Sequence, residues 1–316
     1  MTEEKGNKRL RLRYHMSMYY SRFFGVTELV DSLYVVLEIF IMTYSLESNS
    51  PTMVSYECEV QGTVVAQSHK PIRSNRCAGT NWLIQIVCLI QSKGDPSYIQ
   101  SLSIRERAPW IEIKEWSIEL QNKKDPRLFS SHLPVQLFPK SFFSSKAKVI
   151  YLIRNPKDCV VSGYHFWSAT DFIKKPESFE GFFKDFIQGN VPFGSWFEHT
   201  RDWVALRNRD NILLLTYEEL KKDTRSSIKK ICEFLGATLE PWEHELVLKY
   251  SSFEAMKEIK QNKERFLSYD KAYSIIMRKG IIGDWKSHFT VAQAEEFDKI
   301  FQKKMKDVPQ ELFQWE

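Results

Sequence analysis

One twenty-residue stretch, 148–167, constrains the fold more than any other part of this chain. It begins with an unbroken apolar run, Val149–Ile153, which is typical of a strand buried on both faces of a parallel sheet. An Arg-Asn-Pro turn then ends the strand, because proline favours the first turn of a following helix. Arg154 therefore lies at a strand end beside a helix N-terminus, with Ser162 two turns further on. This combination indicates a phosphate site, although an arginine that only pairs with a surface carboxylate is the alternative.

Strands and helices alternate along most of the chain, as they do in α/β proteins. Its 316 residues suit one large domain or two small ones. Besides the strand above, apolar periodicity predicts helices over 82–90, 179–187, 226–235 and 291–305, and a strand over 211–217. Asp223 and Thr290 are the predicted N-caps, and Gly236 is a predicted helix end. Residues 45–76 show no sustained period, so this segment is either disordered or foreign to the fold.

Charge and cysteine content narrow the class of function. A net charge of +5, spread along the chain, suits a small anionic ligand and falls short of a nucleic-acid-binding surface. The five cysteines are scattered and never form a C-x-x-C pair, which argues for a reducing compartment and against a disulfide framework or a metal site. No secretory signal is visible, and the most apolar window, Leu29–Ser45, is too short and too charged to span a membrane. We therefore expect a cytoplasmic protein without membrane insertion.

A second candidate anion site begins at Gly79. The run Gly-Thr-Asn-Trp has the form of a phosphate loop that leads into a helix, since Gly79 allows close backbone approach and Thr80 supplies a hydroxyl. Such loops place a lysine two residues before the glycine, and Cys77 stands there instead. Taken alone, the pattern favours an ordinary Gly-Thr helix cap.

Three further positions carry candidate chemistry. His132 lies in Ser-Ser-His-Leu-Pro and could act as a general base near neutral pH, although a lone histidine there is more often structural. The loop 278–286 joins the adjacent cations Arg278 and Lys279 to two glycines and could wrap an anion; a solvated basic turn is the alternative. Tyr217 ends a predicted buried strand and could stack on a nucleotide base.

Together these motifs resemble one family. Ser-Ser-His-Leu-Pro (130–134), Lys-Val-Ile-Tyr-Leu-Ile-Arg-Asn-Pro-Lys-Asp with its following Ser-Gly-Tyr (148–164), and Arg-Lys-Gly-x-x-Gly-Asp-Trp-Lys (278–286) are similar to the motifs of cytosolic sulfotransferases. Phe-Pro-Lys-Ser-Phe-Phe-Ser-Ser-Lys-Ala-Lys (138–148) and Glu-Leu-Phe-Gln-Trp-Glu (311–316) are typical of the hydroxysteroid or bile-salt branch, the 2A type. The resemblance covers the well-matched body 79–316, roughly three quarters of the chain.

The resemblance implies an α/β fold, namely a single domain with a central parallel sheet flanked by helices, similar to P-loop kinases. It also implies 3′-phosphoadenylyl sulfate (PAPS) as a diffusible sulfuryl donor, without a metal, and His132 as the catalytic base. The residues implied to bind PAPS are Gly79, Thr80 and Asn81 at the 5′-phosphosulfate, Trp82 and Phe253 at the adenine, Arg154, Ser162, Arg278, Lys279 and Gly280 at the 3′-phosphate, and Tyr217, Ser251 and Met256 as further contacts.

The resemblance also implies an acceptor and a partner. The acceptor is a small hydrophobic alcohol: a steroid, a bile acid or a related compound. The dimerisation motif K-x-x-x-T-V-x-x-x-E is intact as Lys286, Thr290, Val291 and Glu295, so a homodimer is expected. A P-loop kinase is the less favoured relative, because the sequence contains no G-x-x-x-x-G-K-[ST] motif.

The N-terminal quarter departs from the family pattern. Residues 1–34 are divergent, although Arg22–Val26 resemble the segment that lines the acceptor pocket. Residues 38–44 are similar to the family's first strand, which leads directly into Pro-Lys-Ser-Gly-Thr. Here 45–76 intervene before the pattern resumes, so a spliced or mispredicted exon and true divergence both explain the sequence.

The altered loop raises a question about activity. Arg76, Cys77 and Ala78 stand where the family has Pro, Lys and Ser. Losing one preorganised charge contact typically costs about 10² to 10³ in rate. A catalytically impaired PAPS-binding relative is therefore the alternative to an active enzyme, unless Lys70 or Arg76 substitutes for the lysine.

Overall fold

The computed structural model describes residues 40–44, 79–109, 127–169, 175–191, 194–261 and 277–315. Within these ranges four strands form one sheet, with the spatial order β2-β1-β3-β4. They are β1 (Phe40–Tyr44), β2 (Arg127–Ser131), β3 (Lys148–Ile153) and β4 (Ile212–Thr216). The divergent residues 1–34, the predicted insertion 45–76 and Cys77 lie outside the described ranges.

Helices follow or connect these strands throughout the described ranges. In chain order they are α1 (Thr80–Gln91), α2 (Ser97–Ser101), α3 (Ile104–Arg107), α4 (Pro156–Ala169), α5 (Phe179–Gln188), α6 (Trp196–Val204), α7 (Tyr217–Lys222), α8 (Thr224–Leu235), α9 (Pro241–Tyr250), α10 (Phe253–Gln261) and α11 (Val291–Met305). Short 3₁₀ turns lie at Val135–Leu137, Lys140–Ser144, Asp284–Ser287 and Gln310–Phe313.

The local sequence signals identified their elements correctly. The predicted helices over 82–90, 179–187, 226–235 and 291–305 are confirmed as α1, α5, α8 and α11, and the strand over 211–217 as β4. The side chain of Asp223 caps α8 by accepting from the Ser226 N–H, and Gly236 ends that helix in the left-handed conformation. Thr290 forms a capping box with Gln293 at the start of α11. These signals succeed because a cap is a contact within one turn.

The direction of β1 differs from the prediction. β3 and β4 are parallel, whereas β1 is antiparallel to both β2 and β3. β2, β3 and β4 therefore share one direction and β1 opposes it, so the α/β class is confirmed and the parallel arrangement is corrected for this strand. The apolar run Phe40–Tyr44 marks a central strand but does not encode its direction, because direction depends on the connections at either end.

Helices cover both faces of the sheet. Val149, Tyr151 and Ile153 of β3 point into a core shared with α4, α5, α6 and α11. Ile150 and Leu152 point to the other side, into a core shared with α1, α8 and α9. This alternation follows from the two-residue period of a strand. It explains why the apolar run of β3 is unbroken, since a strand between two helical layers needs apolar side chains on both faces.

Candidate nucleotide and acceptor site

The carboxyl ends of three strands meet at one edge of the sheet. Ser131 of β2 and Tyr151 of β3 both pair with Phe40 of β1, and Ile153 of β3 pairs with Thr216 of β4. His132, Arg154 and Tyr217 follow these strands directly, so all of them emerge at this edge. Ligands of open α/β sheets bind outside the carboxyl ends of the strands. The register of the sheet thus brings together three residues that the sequence analysis had singled out separately.

The ring of Tyr217 organises one part of this edge. The guanidinium carbon of Arg154 lies 4.3 Å from its centre, within the range of a cation–π contact. Trp82 meets the same ring edge-on at 5.6 Å. A Cβ on Gly79 would stand 2.7 Å from a carbon of the Tyr217 ring, and Gly79 has a φ of 93°. Only glycine therefore allows the start of α1 to approach Tyr217 so closely.

The first turn of α1 buries two polar side chains. Thr80 is 1% exposed and Asn81 is 4% exposed. Within the described residues, the hydroxyl of Thr80 makes no hydrogen bond. A buried hydroxyl without a partner is costly, and a helix N-terminus favours an anion. The start of α1 therefore has the features of a place where a ligand oxygen completes the hydrogen bonding.

Asp158 of α4 binds the basic loop 278–286. Its fully buried carboxylate accepts the N–H of Gly283 at 2.8 Å and the N–H of Trp285 at 2.9 Å. Arg154, one turn earlier, donates through Nη2 to the carbonyl of Ile281 at 3.2 Å. These contacts join residues more than a hundred positions apart. They bring Arg154 and the loop 278–286 into one unit, as the phosphate-site prediction requires.

A second carboxylate arranges the cations of that loop. Asp284 pairs with both Arg278 and Lys279. Burial alone would raise the pKa of Asp284, but the hydrogen bonds from Lys279 and Arg278 outweigh it and lower the pKa to about 2. Asp284 is therefore ionised at neutral pH, and it holds two positive side chains in one place.

Gly280 packs against Phe253. It has a φ of 64°, and a Cβ there would lie 2.7 Å from a carbon of the Phe253 ring. Ser251 is 1% exposed and Met256 is 4% exposed, and both flank Phe253 in the α9–α10 region. One predicted adenine residue, Phe253, therefore lies against one predicted 3′-phosphate residue, Gly280 of the basic loop. Ser162 lies half-buried on α4.

His132 lies at a different strand end, that of β2. It is 2% exposed and directly follows β2. The indole N–H of Trp203 donates to the carbonyl of Leu133 at 3.2 Å, and the hydroxyl of Ser131 accepts the Leu133 N–H at 3.2 Å. The backbone next to His132 is therefore held by both a strand residue and α6.

A second histidine supports the same backbone. His199 of α6 lies beside the backbone of His132 and Leu133, and burial lowers its pKa to about 3, against the opposing hydrogen bonds of these two backbone groups. Its Nδ1 is 2.9 Å from the hydroxyl of Tyr151, which is also 3.3 Å from the hydroxyl of Thr200. His199 is therefore neutral at physiological pH. It forms part of a buried polar network behind the candidate base.

A family model described as a sulfotransferase domain matches residues 72–309, most of the chain. This protein belongs to the sulfotransferase family.

Its relatives place this sulfotransferase within the 2A type, as the sequence predicted. Sulfotransferase 2A1 of Macaca fascicularis is 59% identical over 241 residues, which cover 76% of this chain and 85% of that protein. The human protein of the same name has the same identity and coverage. The 3-beta-hydroxysteroid sulfotransferase of Cavia porcellus is 58% identical and is covered to 84%.

Solved structures confirm the fold of this sulfotransferase. Mouse sulfotransferase SULT7A1, crystallised with PAP, superposes with a TM-score of 0.62 at 30% identity, over 73% of this chain and 81% of that one. Retinol dehydratase in complex with androsterone and PAP gives a TM-score of 0.63 at 22% identity, over 73% and 79% of the two chains. The latter likeness supports the α/β architecture alone.

The segment predicted to form the sulfotransferase dimer lies around the start of α11. Thr290 is the N-cap, and Val291 directly after it is 77% exposed. Lys286 and Glu295 are exposed as well. The predicted residues are therefore accessible in the single chain.

Three carboxylates of this sulfotransferase carry roles that the sequence analysis did not assign. Asp158 and Asp284 were visible within the motifs Arg-Asn-Pro-Lys-Asp and Gly-Asp-Trp-Lys, but their partners depend on the fold. Glu218 follows Tyr217 and accepts the N–H of Asn155 at 3.0 Å. For Asp158 and Asp284 the signal was an acid within a basic or apolar motif, where an isolated charge would be costly; the pair Glu218-Glu219 gave no such signal.

The described residues of this sulfotransferase contain neither a membrane-spanning helix nor a metal-binding cluster. No helix among them is both long and apolar enough to cross a membrane. The same ranges contain no group of three or more side chains that could hold a metal ion.

Proposed function

We propose that this sulfotransferase transfers the sulfuryl group of PAPS to the hydroxyl of a steroid, bile acid or related alcohol, with His132 as the general base. One observation carries the proposal: His132, Arg154 and Tyr217 follow three strands that end at the same edge of the sheet. A relative named 3-beta-hydroxysteroid sulfotransferase and a structural neighbour crystallised with PAP support it.

The residues at this edge fit an anionic nucleotide. Gly79 and Gly280 leave bare backbone where a side chain would collide with an aromatic ring. Thr80 offers a buried hydroxyl, and Arg154 and Lys279 offer positive charge. PAPS would supply the activated sulfuryl group, and adenosine 3′,5′-bisphosphate (PAP) is what leaves.

His132 would receive the proton of the acceptor hydroxyl. An alcohol is a weak nucleophile while it keeps its proton, so a positioned base raises the rate, typically by about 10² to 10⁴. Burial keeps bulk water away from His132, and the bonds from Trp203 and Ser131 fix the backbone that follows it. In this scheme α6 sets where the proton acceptor lies.

Arg154 and the late loop would hold the 3′-phosphate, with Ser162 on the adjoining helix. Arg154 is fixed by stacking on Tyr217 and by its bond to Ile281. Arg278 and Lys279 are gathered by Asp284. Because these cations are positioned before the nucleotide arrives, less ordering is required on binding.

The alternative is a relative that binds PAP but turns over slowly. It is favoured by Cys77, which stands where the family has the lysine that neutralises the leaving oxygen. Loss of that charge would leave the 3′-phosphate residues unchanged.

Two further properties belong to the proposal. The protein would form a homodimer through Lys286, Thr290, Val291 and Glu295, because an exposed valine at a helix start suits a small apolar contact. It would work in the cytoplasm, where its scattered cysteines stay reduced.

Steady-state transfer from PAPS to a 3β-hydroxysteroid tests the proposal, with Cys77→Lys and Cys77→Ser measured alongside. We expect the wild type to form steroid sulfate and PAP in equal amounts. A rise of about 10² to 10³ in Cys77→Lys alone would favour the impaired relative. If wild type and Cys77→Lys both bind PAP and neither forms steroid sulfate, the proposed activity is wrong.

A further inference from the structure

Glu218 is a buried acid at the centre of the candidate phosphate site. It is the second residue of α7, directly after Tyr217, and is 4% exposed. Its Oε1 accepts the N–H of Asn155 at 3.0 Å, in the turn between β3 and α4. Within the described residues its Oε2 is buried without a hydrogen-bond partner. One oxygen thus has a structural bond, and the other is free to carry a proton.

The charges that face Glu218 come from two neighbouring elements. Arg154, at the end of β3, favours its ionised form, and Asp158 of α4 opposes it. Tyr217, on its own helix, is also close enough to interact electrostatically. Asp158 is already committed to the N–H groups of Gly283 and Trp285. Among these neighbours, Arg154 is therefore the group whose charge stabilises the Glu218 carboxylate.

The pKa of Glu218 lies close to neutral pH. Burial raises its pKa to about 7, more than the Asn155 N–H, the backbone N–H of Glu218 itself and Arg154 together lower it. The carboxyl is therefore about half protonated at pH 7, since pH then equals its pKa.

We propose that Glu218 adjusts the charge of the nucleotide site: it holds the Asn155 turn through Oε1 and takes up a proton on Oε2 when an anionic nucleotide binds at Arg154. This rests on the proposed function, which places the 3′-phosphate there. An anion beside Arg154 offsets part of the positive charge that stabilises the Glu218 carboxylate, and it also repels that carboxylate. The protonated form of Glu218 therefore becomes favoured.

The proton comes from the buffer, and no other bond changes. The Asn155 N–H keeps its acceptor, because Oε1 of the acid is then a carbonyl oxygen. Linkage requires that a site which gains a proton on binding also binds more tightly as pH falls. Nucleotide affinity should therefore be highest below pH 7, where Glu218 is protonated, and should fall as pH rises above 7.

Calorimetric titration of PAP in two buffers of different ionisation enthalpy measures the uptake. Glu218→Gln is the test variant, because its amide oxygen still accepts the Asn155 N–H while the side chain cannot titrate. Glu219→Gln is the matched control, since Glu219 lies next in sequence and is partly exposed, paired with Lys230. Protonation of PAP itself contributes equally to all three proteins.

We expect the wild type and Glu219→Gln to take up about half a proton more than Glu218→Gln at pH 7. We also expect Glu218→Gln to bind PAP as tightly as wild type at pH 6 and about tenfold more tightly at pH 8.5. The inference would be overturned if Glu218→Gln took up as many protons as the wild type and if the ratio of their PAP affinities did not change with pH. The proposed function would then remain intact.

A measurement on the wild type makes the result independent of a folding defect in the variants. In the wild type alone, an infrared difference spectrum should show a protonated carboxyl band that appears on PAP binding, and its absence at pH 7 would also overturn the inference. A wild-type protein that binds no PAP at all would instead refute the proposed function, and this inference with it.

Discussion

The two parts of the candidate site are built in opposite ways. At the ends of β3 and β4, charges are dense and are paired in advance, as with Asp158, Asp284 and the cations around them. At the end of β2, His132 is buried next to a second histidine, His199, whose pKa is lowered to about 3. The first arrangement suits anion binding, because it supplies positive charge in a fixed place. The second suits proton transfer, because a histidine accepts a proton on a ring nitrogen that carries none.

Binding and chemistry should therefore be separable by mutation. Variants at the end of β2 should lower turnover and spare nucleotide affinity. Variants in the charged part should lower nucleotide affinity and spare turnover.

Replacing His132 with Ala should have the largest effect. We expect kcat for transfer to a 3β-hydroxysteroid to fall by about 10² to 10⁴, with PAP affinity within about threefold of wild type. Rates and calorimetric titration on the same preparation measure both quantities. A variant that retains full kcat, or that loses PAP binding as well, would contradict the division.

Replacing Asp158 with Asn should release the basic loop from α4. The amide keeps one acceptor for two backbone N–H groups, and one hydrogen bond to a charged group contributes about 1.5–3 kcal/mol. We expect PAP affinity to fall roughly tenfold to a hundredfold. Asp298→Asn is the control, because Asp298 likewise holds a later segment to α4, through an ion pair with Lys157, but is 54% exposed. Equal effects of the two variants would show that the loop does not need this anchor.

Replacing Gly280 with Ala should disturb the nucleotide site through Phe253. The new Cβ would stand 2.7 Å from the ring, and overpacking of this kind costs about 1–3 kcal/mol. We expect PAP to bind about tenfold more weakly. Gly236→Ala is the matched control, since its φ of 72° is similar but no atom lies within 4 Å of the added Cβ. The control should lose stability by roughly 1 kcal/mol and bind PAP normally; equal PAP affinity in both variants would refute the role of Gly280.

The smallest effects should appear in the pH dependence of stability, with opposite signs in the two parts. The pKa of His199 is lowered to about 3, so its contribution to stability is lost as pH falls from about 6.5 towards 3, by about 1.4 kcal/mol per pH unit at most. The pKa of Glu218 is raised to about 7. Its contribution is therefore present below about pH 4.5 and is lost as pH rises to 7.

Urea unfolding between pH 4.5 and 8 measures both slopes. Relative to wild type, His199→Gln should become less sensitive to acid, and Glu218→Gln should become less sensitive to rising pH. Variants that shift the profile in the same direction would contradict the assignment of the two groups.

Much of the fold could be predicted because its signals are local. The run Val149–Ile153, the Arg-Asn-Pro turn and the Asp223 cap act over a few residues, so sequence alone locates β3 and the start of α8. The direction of β1 could not be predicted, because its short apolar run is compatible with either orientation.

The site was predictable as a set of residues but not as a set of contacts. Arg154 and the late loop could be named from their motifs. The bonds from Asp158 to Gly283 and from His199 to Tyr151 join distant positions and depend on the packing of α4 and α6. The balance of charges around Glu218 depends on burial as well, which a sequence motif does not report.

The most direct test of the divided site is a crystal structure of the protein with PAP and a 3β-hydroxysteroid bound together. The account predicts that the 3′-phosphate contacts Arg154 and Ser162, and that the steroid hydroxyl lies within hydrogen-bond distance of a ring nitrogen of His132. A nucleotide bound away from Arg154, or a hydroxyl held out of reach of His132, would contradict it.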